Sequence, residues 1–220
     1  MRKNKTPWLK AVVIVVALLV FCTHSSAQKI CKYHDKQFIY KLTLDSVLSG
    51  DSVNYQCSVR MICILKRSNH QLVQTINPPE NYFFCDINKK EIFVAEDMNF
   101  DGVNDIRLIQ FIPAAPNTPY YYWMYNNTTH QFQRNKAFDN ITTPEFDRKQ
   151  KLIISSWRGG WANYGSSTYK IINGKPVLIE EYETKELEND STKHILTQKK
   201  RINGKLRLVK TTIEDVSDNK

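Results

Sequence analysis

Apolar side chains alternate with polar ones along most of the chain, a pattern typical of β-strands that bury one face. Helical spacing is nearly absent, and we expect at most a turn or two of helix within residues 184–194. The alternation predicts strands, some of them short, over residues 38–44, 55–66, 72–76, 82–85, 92–95, 106–112, 120–125, 131–133, 151–156 and 167–172.

The last quarter of the chain contains the same tetrapeptide twice, Ile-Asn-Gly-Lys, at residues 172–175 and 202–205. Asn-Gly between strand-like runs predicts a tight β-hairpin, because both residues tolerate positive φ. Many short strands separated by turns indicate an antiparallel, all-β fold, either a sandwich or a propeller-like arrangement. Without a linker of the usual composition, residues 28–220 are predicted to form a single all-β domain.

The first 27 residues have the features of a signal peptide. Four basic residues lie within the first ten positions, an apolar run covers 11–21, and small residues precede a cleavage point after Ala27. Cys22 raises the alternative of a lipoprotein, which is less favoured because Phe21 is bulky where such signals have a small residue. We therefore expect a periplasmic or secreted protein.

Removal of this segment also changes the charge. The chain has 31 Lys and Arg, and loss of the four in the signal leaves 27 against 22 Asp and Glu, a net charge of +5. The basic residues are scattered among acidic ones, which argues against a nucleic-acid partner. No second apolar stretch is long enough to cross a bilayer, so no membrane span is expected in the mature chain.

Four cysteines remain after the signal, at Cys31, Cys57, Cys63 and Cys85. An even number in a secreted chain predicts two disulfides. Cys57 and Cys63 lie on one predicted strand, about 20 Å apart at ~3.3 Å per residue. A disulfide needs Cα atoms within roughly 7 Å, so each should pair instead with Cys31 or Cys85. Zinc is less favoured, because paired C-x-x-C spacing is missing.

Oxygen-bearing side chains recur at alternate positions in residues 97–105, and Gly102 allows a sharp turn there. This arrangement suits Ca²⁺, which takes hard oxygen ligands on a tight curve. A polar turn without metal is the alternative, since Asp, Asn and Gly are also the common turn residues. The predicted calcium ligands are Asp97, Asn99, Asp101, the Val103 carbonyl and Asp105.

A second informative stretch, residues 155–169, combines aromatic, arginine, serine and glycine residues. Trp, Tyr and Arg dominate binding hot spots, although the tryptophans would equally serve as lids over the core. The aromatic run at 120–125 is expected to be mainly core rather than a sugar-stacking platform. The predicted partner-binding residues are Trp157, Arg158, Trp161, Tyr164, Ser166, Ser167 and Tyr169.

Signals for enzymatic activity are poor. The sequence contains no G-x-S-x-G, no H-E-x-x-H and no Cys/His couple, and its histidines are isolated in polar turns or at strand ends. No catalytic residue is predicted, and we expect that the protein is not an enzyme.

Several motifs occur in a recognisable order: D-M-N-F-D-G-V-N-D-I, Y-Y-Y-W-M-Y, T-P-E-F-D, S-S-W-R-G-G and Y-G-S-S-T-Y. Together they resemble a family of bacterial periplasmic proteins that includes the immunity protein of a type IV secreted peptidoglycan hydrolase. Members of this family are similar in fold to invertebrate-type lysozyme inhibitors, and the first motif is similar to an FG-GAP calcium loop. The resemblance covers residues 97–169.

The resemblance implies an all-β periplasmic domain with structural Ca²⁺ that inserts a loop into the cleft of a lysozyme-like peptidoglycan hydrolase. The nearest match to the inhibitory loop is Gly165 to Tyr169. Our first hypothesis is therefore an immunity-type inhibitor. The alternative is a Ca²⁺-stabilised cell-envelope module that binds glycan through its Trp and Tyr faces. A hydrolase with dispersed catalytic residues ranks third.

Overall fold

The computed structural model describes residues 29–48, 55–113 and 116–215. The predicted signal peptide, with Cys22 and the cleavage point after Ala27, lies outside these residues. In the part of the chain that is described, no helix has the length and apolar character needed to cross a membrane. The fold is all-β, as predicted, and consists of three antiparallel sheets whose strands mostly pair in chain order.

The first sheet has the order β1-β2-β3-β4, and β5 pairs with β3. Its strands confirm the predictions for 38–44, 55–66 and 72–76, while β1 was not predicted. The bounds are β1 Lys29–His34, β2 Phe38–Leu48, β3 Tyr55–Lys66, β4 Leu72–Ile76 and β5 Phe83–Phe84.

The second sheet has the order β6-β7-β8-β9. A short helix, α1 (Lys89–Ile92), precedes it, and the Asn88 side chain caps this helix by accepting from the Lys90 N–H. The bounds are β6 Phe93–Glu96, β7 Asp105–Ile109, β8 Tyr120–Asn126 and β9 Gln131–Arg134.

The third sheet runs without interruption from β10 to β15. A 3-10 turn at Lys136–Phe138 precedes it. The bounds are β10 Pro144–Asp147, β11 Leu152–Arg158, β12 Tyr164–Ile172, β13 Lys175–Leu187, β14 Asp190–Ile202 and β15 Lys205–Asp215.

Both Asn-Gly hairpins are confirmed. Asn173 and Gly174 have φ values of 52° and 73°, and Asn203 and Gly204 have values of 50° and 78°. These turns join β12 to β13 and β14 to β15. The expected helical turns within 184–194 are wrong, because this segment forms the ends of β13 and β14 and the tight turn between them.

The first two sheets share one hydrophobic core. Tyr40 of β2 lies 5.1 Å from Phe93 of β6, and Phe38 lies 5.3 Å from Phe132 of β9, measured between ring centroids. The aromatic run of β8 is mainly core, as expected, and Tyr122 is fully buried.

Arg107 connects this core to the third sheet. Its guanidinium lies 4.9 Å from the ring of Tyr120 on β8 and 5.4 Å from the ring of Phe146 on β10. One of its nitrogens lies 2.7 Å from a carboxylate oxygen of Glu96. Ile153 of β11 belongs to the same core cluster and is fully buried. Strands β10 and β11 are therefore held against the first two sheets.

The cysteine prediction is half right. A disulfide joins Cys57 and Cys85, and Cys57 does not pair with Cys63. The expected second bridge is not formed: Cys31 and Cys63 are free thiols. Cys31 lies opposite Leu42 on the buried face of the sheet, whereas Cys63 lies opposite Lys41 on the other face. A one-residue difference in register reverses the face on which a side chain lies, so these two thiols cannot meet.

The outer strand of the third sheet contains a bulge. Gln198 pairs with Lys210, whereas Lys199 pairs with Leu208, so Val209 is an extra residue on β15. Leu208, Val209 and Ile213 are all exposed there.

Candidate functional site

Most of the stretch 155–169 forms a hairpin and not a long loop. β11 and β12 pair with Arg158 opposite Tyr164 and Trp157 opposite Gly165, which leaves only residues 159–163 as the connection. Trp157 lies over Gly165, where an added Cβ would come 2.8 Å from the tryptophan ring and 2.2 Å from the Tyr182 carbonyl oxygen. Glycine is therefore the residue that lets the indole lie flat against the sheet.

The end of the hairpin is fixed from two sides. The Asn117 side chain accepts from the Arg158 N–H at 2.7 Å and donates to the Arg158 carbonyl at 2.7 Å. Within the connection, the Gly159 and Gly160 N–H groups both donate to the Asn163 carbonyl, at 2.7 and 3.1 Å. These hydrogen bonds fix the backbone of Arg158, while its side chain stays exposed.

An open groove of about 920 Å³ lies along this face of the third sheet. It brings together Trp157, Arg158, Trp161, Tyr164 and Ser166, all five of which are predicted partner-binding residues. The remaining lining residues are Pro116, Thr143, Ser156, Gly165, Tyr182, Thr184 and His194.

Trp161 lies at the tip of the hairpin and is 60% exposed. Its ring centroid is 5.4 Å from that of His194, on β14. His194 itself is only 7% exposed, and its Nε2 atom is buried without a hydrogen-bond partner in the described part of the chain. A buried polar atom without a partner is costly, so this atom distinguishes the groove floor from ordinary sheet surface.

The other two predicted residues, Ser167 and Tyr169, do not line the groove. Ser167 is buried, and Tyr169 packs against the main core. Burial raises the pKa of the Tyr169 hydroxyl, and a hydrogen bond with Ser167 opposes that shift. The alternation along β12 accounts for this division, because Tyr164 and Ser166 lie on one face while Ser167 and Tyr169 lie on the other.

The residues of this region that the sequence reasoning missed include Asn117, Tyr182, Thr184 and His194. The last three lie on β13 and β14, where Thr184 pairs with Tyr164 and Tyr182 pairs with Ser166. A correct strand prediction for residues 175–202 would have placed them beside the hairpin. Asn117 had no comparable signal, because it lies in a proline-rich bend.

The predicted calcium loop connects β6 to β7. The Asp101 N–H donates to Asp97 Oδ1 at 3.1 Å and to Asn99 Oδ1 at 3.0 Å. The Gly102 N–H donates to Asp97 Oδ2 at 3.0 Å, and Gly102 has the positive φ of 94° that the sharp turn requires. Side-chain oxygens of the loop therefore point inward around its backbone.

Asp105 has a different role, since it is fully buried at the base of the loop. Its carboxylate accepts from the N–H groups of Met98 at 3.0 Å, Asn99 at 3.2 Å and Tyr125 at 2.7 Å. Burial raises the pKa of Asp105 to about 7, against the opposing effect of the Tyr125 and Met98 hydrogen bonds. Asp105 ties both ends of the loop to strand β8.

The loop also contacts its surroundings. Asn104 donates to Asp35 Oδ2 at 3.1 Å, and the same oxygen accepts from the Tyr40 hydroxyl at 2.7 Å. Phe100 lies 6.4 Å from Phe146 on β10, the strand that pairs with β11. The loop thus lies at the junction of all three sheets.

The donors of this loop fit a hard cation in kind, because they are all oxygen atoms. They comprise the side chains of Asp97, Asn99 and Asp101, the carbonyl of Val103 and the buried Asp105. Across the residues that the structure describes, no group of three or more His, Cys, Asp or Glu side chains is arranged to hold a metal. An amide oxygen and a backbone carbonyl would therefore have to complete the ligand set.

No model of a known protein family matches the chain, and no curated protein sequence matches it. The fold is similar to that of a solved structure described as "Structure of a Xanthomonas Type IV Secretion System related protein". The TM-score is 0.62 and the sequence identity is 15%, over 85% of this chain and 95% of that chain. At this identity the likeness establishes a shared fold.

Proposed function

We propose that this protein is an extracytoplasmic inhibitor of a lysozyme-like peptidoglycan hydrolase and is not itself an enzyme. The observation that carries the proposal is the grouping of Trp157, Arg158, Trp161, Tyr164 and Ser166 along one groove. Interface hot spots are enriched in Trp, Tyr and Arg, especially where the backbone is already rigid. Here Asn117 fixes the backbone of Arg158 before any partner arrives.

The chemistry of the target agrees with this surface. Lysozyme-type clefts contain two carboxylates that carry out the reaction. The Arg158 side chain is exposed, and within the described part of the chain its guanidinium makes one hydrogen bond, from Nε to the Gly160 carbonyl at 3.0 Å. Its remaining N–H groups are free to bind a carboxylate in the bidentate geometry that arginine favours.

Two further observations support the class of protein. The similar solved structure belongs to a type IV secretion system related protein, and the motifs of residues 97–169 resemble an immunity family for a hydrolase delivered by such a system. The Cys57–Cys85 disulfide is typical of an oxidising compartment outside the cytoplasm.

Calcium has a structural part in the proposal. Asp97, Asn99, Asp101, Val103 and Asp105 would hold it, and its charge would compensate the carboxylates that the loop gathers. We expect Ca²⁺ to raise the melting temperature and a chelator to lower it. Asp101→Asn should abolish the difference, whereas Asp86→Asn, at an exposed carboxylate elsewhere, should preserve it.

The function is tested by peptidoglycan lysis with a panel of lysozymes and secreted hydrolases, with and without the protein. We expect inhibition of at least one enzyme, and a loss of affinity of about tenfold to 100-fold for both Arg158→Ala and Trp161→Ala. Arg207→Ala and Leu208→Ala are the matched controls, because both side chains are exposed on β15, away from the groove. Inhibition that survives both groove substitutions in a folded protein would contradict the proposed surface.

A further inference from the structure

The groove contains a feature that a protein-docking surface does not require. His194 is 93% buried, as its 7% exposure implies, yet its Nε2 atom has no partner among the described residues. The Trp161 ring lies 5.4 Å from the imidazole ring between centroids, and its own side chain is mostly exposed at the tip of a glycine-containing connection. A polar atom of this kind is satisfied when a ligand supplies the missing hydrogen bond.

Three aromatic side chains of the groove remain open to solvent: Trp161 is 60% exposed, Tyr182 is 46% exposed and Tyr164 is 39% exposed. All three line the same groove. Aromatic rings of this size are normally buried in a core or covered by a binding partner. The volume of about 920 Å³ lies within the range of small-molecule and cofactor sites.

The polar groups of the groove are mostly hydroxyls, from Ser156, Ser166, Thr143 and Thr184 together with the two tyrosines. Arg158 is the only Lys, Arg, Asp or Glu among the lining residues described. On the floor, His194 pairs in register with Glu186 on one side and Glu214 on the other. Two carboxylates next to His194 in the sheet disfavour a strongly anionic ligand there, so a neutral ligand suits this end of the groove better.

The phenol of Tyr182 is already oriented. Its oxygen accepts from the Gln198 amide at 2.7 Å, and the same amide donates to Glu180 at 2.6 Å. A tyrosine whose hydroxyl is held in place loses less side-chain freedom when a ligand packs on its ring.

We propose that this groove binds a saccharide, with a pyranose ring against Trp161 and Tyr164, and that the exposed Trp161 ring shifts on binding so that a sugar hydroxyl or acetamido group reaches the buried His194 Nε2. Sugar rings combine apolar C–H faces with a dense rim of neutral hydroxyls. The C–H faces match the exposed aromatic rings of the groove, and the sugar hydroxyls match its side-chain hydroxyls and the imidazole nitrogen. An imidazole nitrogen donates or accepts according to its tautomer, and a hydroxyl satisfies either. The inference goes beyond hydrolase inhibition and does not depend on it.

The test is titration of the full mature protein with defined oligosaccharides and no hydrolase, followed by calorimetry and tryptophan fluorescence. The probes are the tetramer of N-acetylglucosamine, the tetramer of glucose and soluble peptidoglycan fragments. We expect saturable binding of at least one of them. Preference for the fragments over the N-acetylglucosamine tetramer would indicate cell-wall peptidoglycan as the source, and the reverse would indicate another N-acetylated glycan.

Substitutions then locate the site. Trp161→Ala and His194→Ala should each weaken binding about tenfold or more, whereas His194→Gln, which keeps a hydrogen-bonding group, should retain part of it. His70→Ala, at an exposed turn, should leave affinity unchanged. Because Trp161 is mostly exposed, its variant should fold even where the His194→Ala variant does not.

Absence of saturable binding to all three probes would overturn the inference, as would binding that survives Trp161→Ala. If the protein inhibits a hydrolase but binds no saccharide, the groove is a protein-docking surface alone and the proposed function still stands. Saccharide binding without inhibition of any hydrolase would support the saccharide site and contradict the proposed inhibitory function.

Discussion

The side chain of Asn117 makes two hydrogen bonds to the backbone of Arg158, as the backbone of a neighbouring β-strand would. The amide of Asn117 satisfies both the N–H and the carbonyl of Arg158, each at 2.7 Å, across 41 positions of sequence. Strand β10 pairs with β11 only as far as Ser155. The Asn117 side chain takes the corresponding place beside Arg158. This contact fixes the point where the hairpin enters the groove.

We expect Asn117→Ala to lower the affinity for the target without unfolding the protein. Loss of the two hydrogen bonds should cost about 1–3 kcal/mol locally, and the freed hairpin end should sample other positions. Hydrogen exchange at the Arg158 amide measures this loosening directly. Asn189→Ala, at the exposed β13–β14 turn, is the control, and equal exchange in the two variants would count against a role for Asn117.

The second prediction concerns Gly165, because neighbouring atoms occupy the space that a Cβ would fill. An alanine there would place a methyl group 2.2 Å from the Tyr182 carbonyl oxygen and 2.8 Å from the Trp157 ring. Gly165→Ala should therefore separate β12 from β13 locally and lower the melting temperature by several degrees. Gly160→Ala is the matched control, since no heavy atom lies within 4 Å of its Cβ position. Equal melting temperatures for the two variants would contradict the close packing.

The pKa of Asp105 predicts how stability depends on pH in the metal-free protein. Burial raises this pKa to about 7, whereas a carboxyl in the unfolded chain titrates near ~3.9. Between these values the folded protein keeps a proton that the unfolded chain releases, so the free energy of unfolding should fall as pH rises from about 4 to about 7. Urea unfolding in chelator measures the slope, and Asp105→Asn should flatten it while Asp86→Asn should not. A slope unchanged by Asp105→Asn would assign the effect to other groups.

The disulfide predicts a difference between two cysteine substitutions. Cys57 and Cys85 are 28 positions apart, and closing a loop of that length stabilises a fold by about 3–4 kcal/mol in the chain-entropy model. Replacing both by serine should lower the free energy of unfolding by that amount. Cys63→Ser, at a half-buried free thiol, should have a much smaller effect. Similar losses would mean that the bridge adds little to stability.

The sequence was most informative where alternation and turn chemistry coincide. The strands at 55–66 and 72–76, the aromatic strand β8 and both Asn-Gly hairpins were predicted with nearly correct bounds. These strands show a run or period of apolar residues, and the hairpins contain the Asn-Gly pair that tolerates positive φ. The segment 184–194 failed because β13 and β14 carry polar residues on both faces. Cross-strand ion pairs help to join them, such as Lys199 with Glu181 at 2.8 Å.

The candidate site was predicted only in part, because its floor comes from a distant strand. His194 follows Trp161 by 33 positions, and nothing in the sequence near either residue indicates their contact. Tyr182 and Thr184 entered the groove through the register of β12 with β13, which requires a correct strand assignment first. The calcium loop and the hydrolase partner remain predictions that the experiments above would decide.

The bulge at Val209 limits how other polypeptide chains can pair with β15. An outer strand with exposed leucine, valine and isoleucine offers unpaired backbone groups to any extended chain nearby. The extra residue interrupts the even spacing of those groups, and Lys205, Arg207 and Lys210 place charge beside it. A foreign strand would lose its register partway along and would bury lysine and arginine side chains. This irregularity therefore protects the molecule against growth into aggregates along β15.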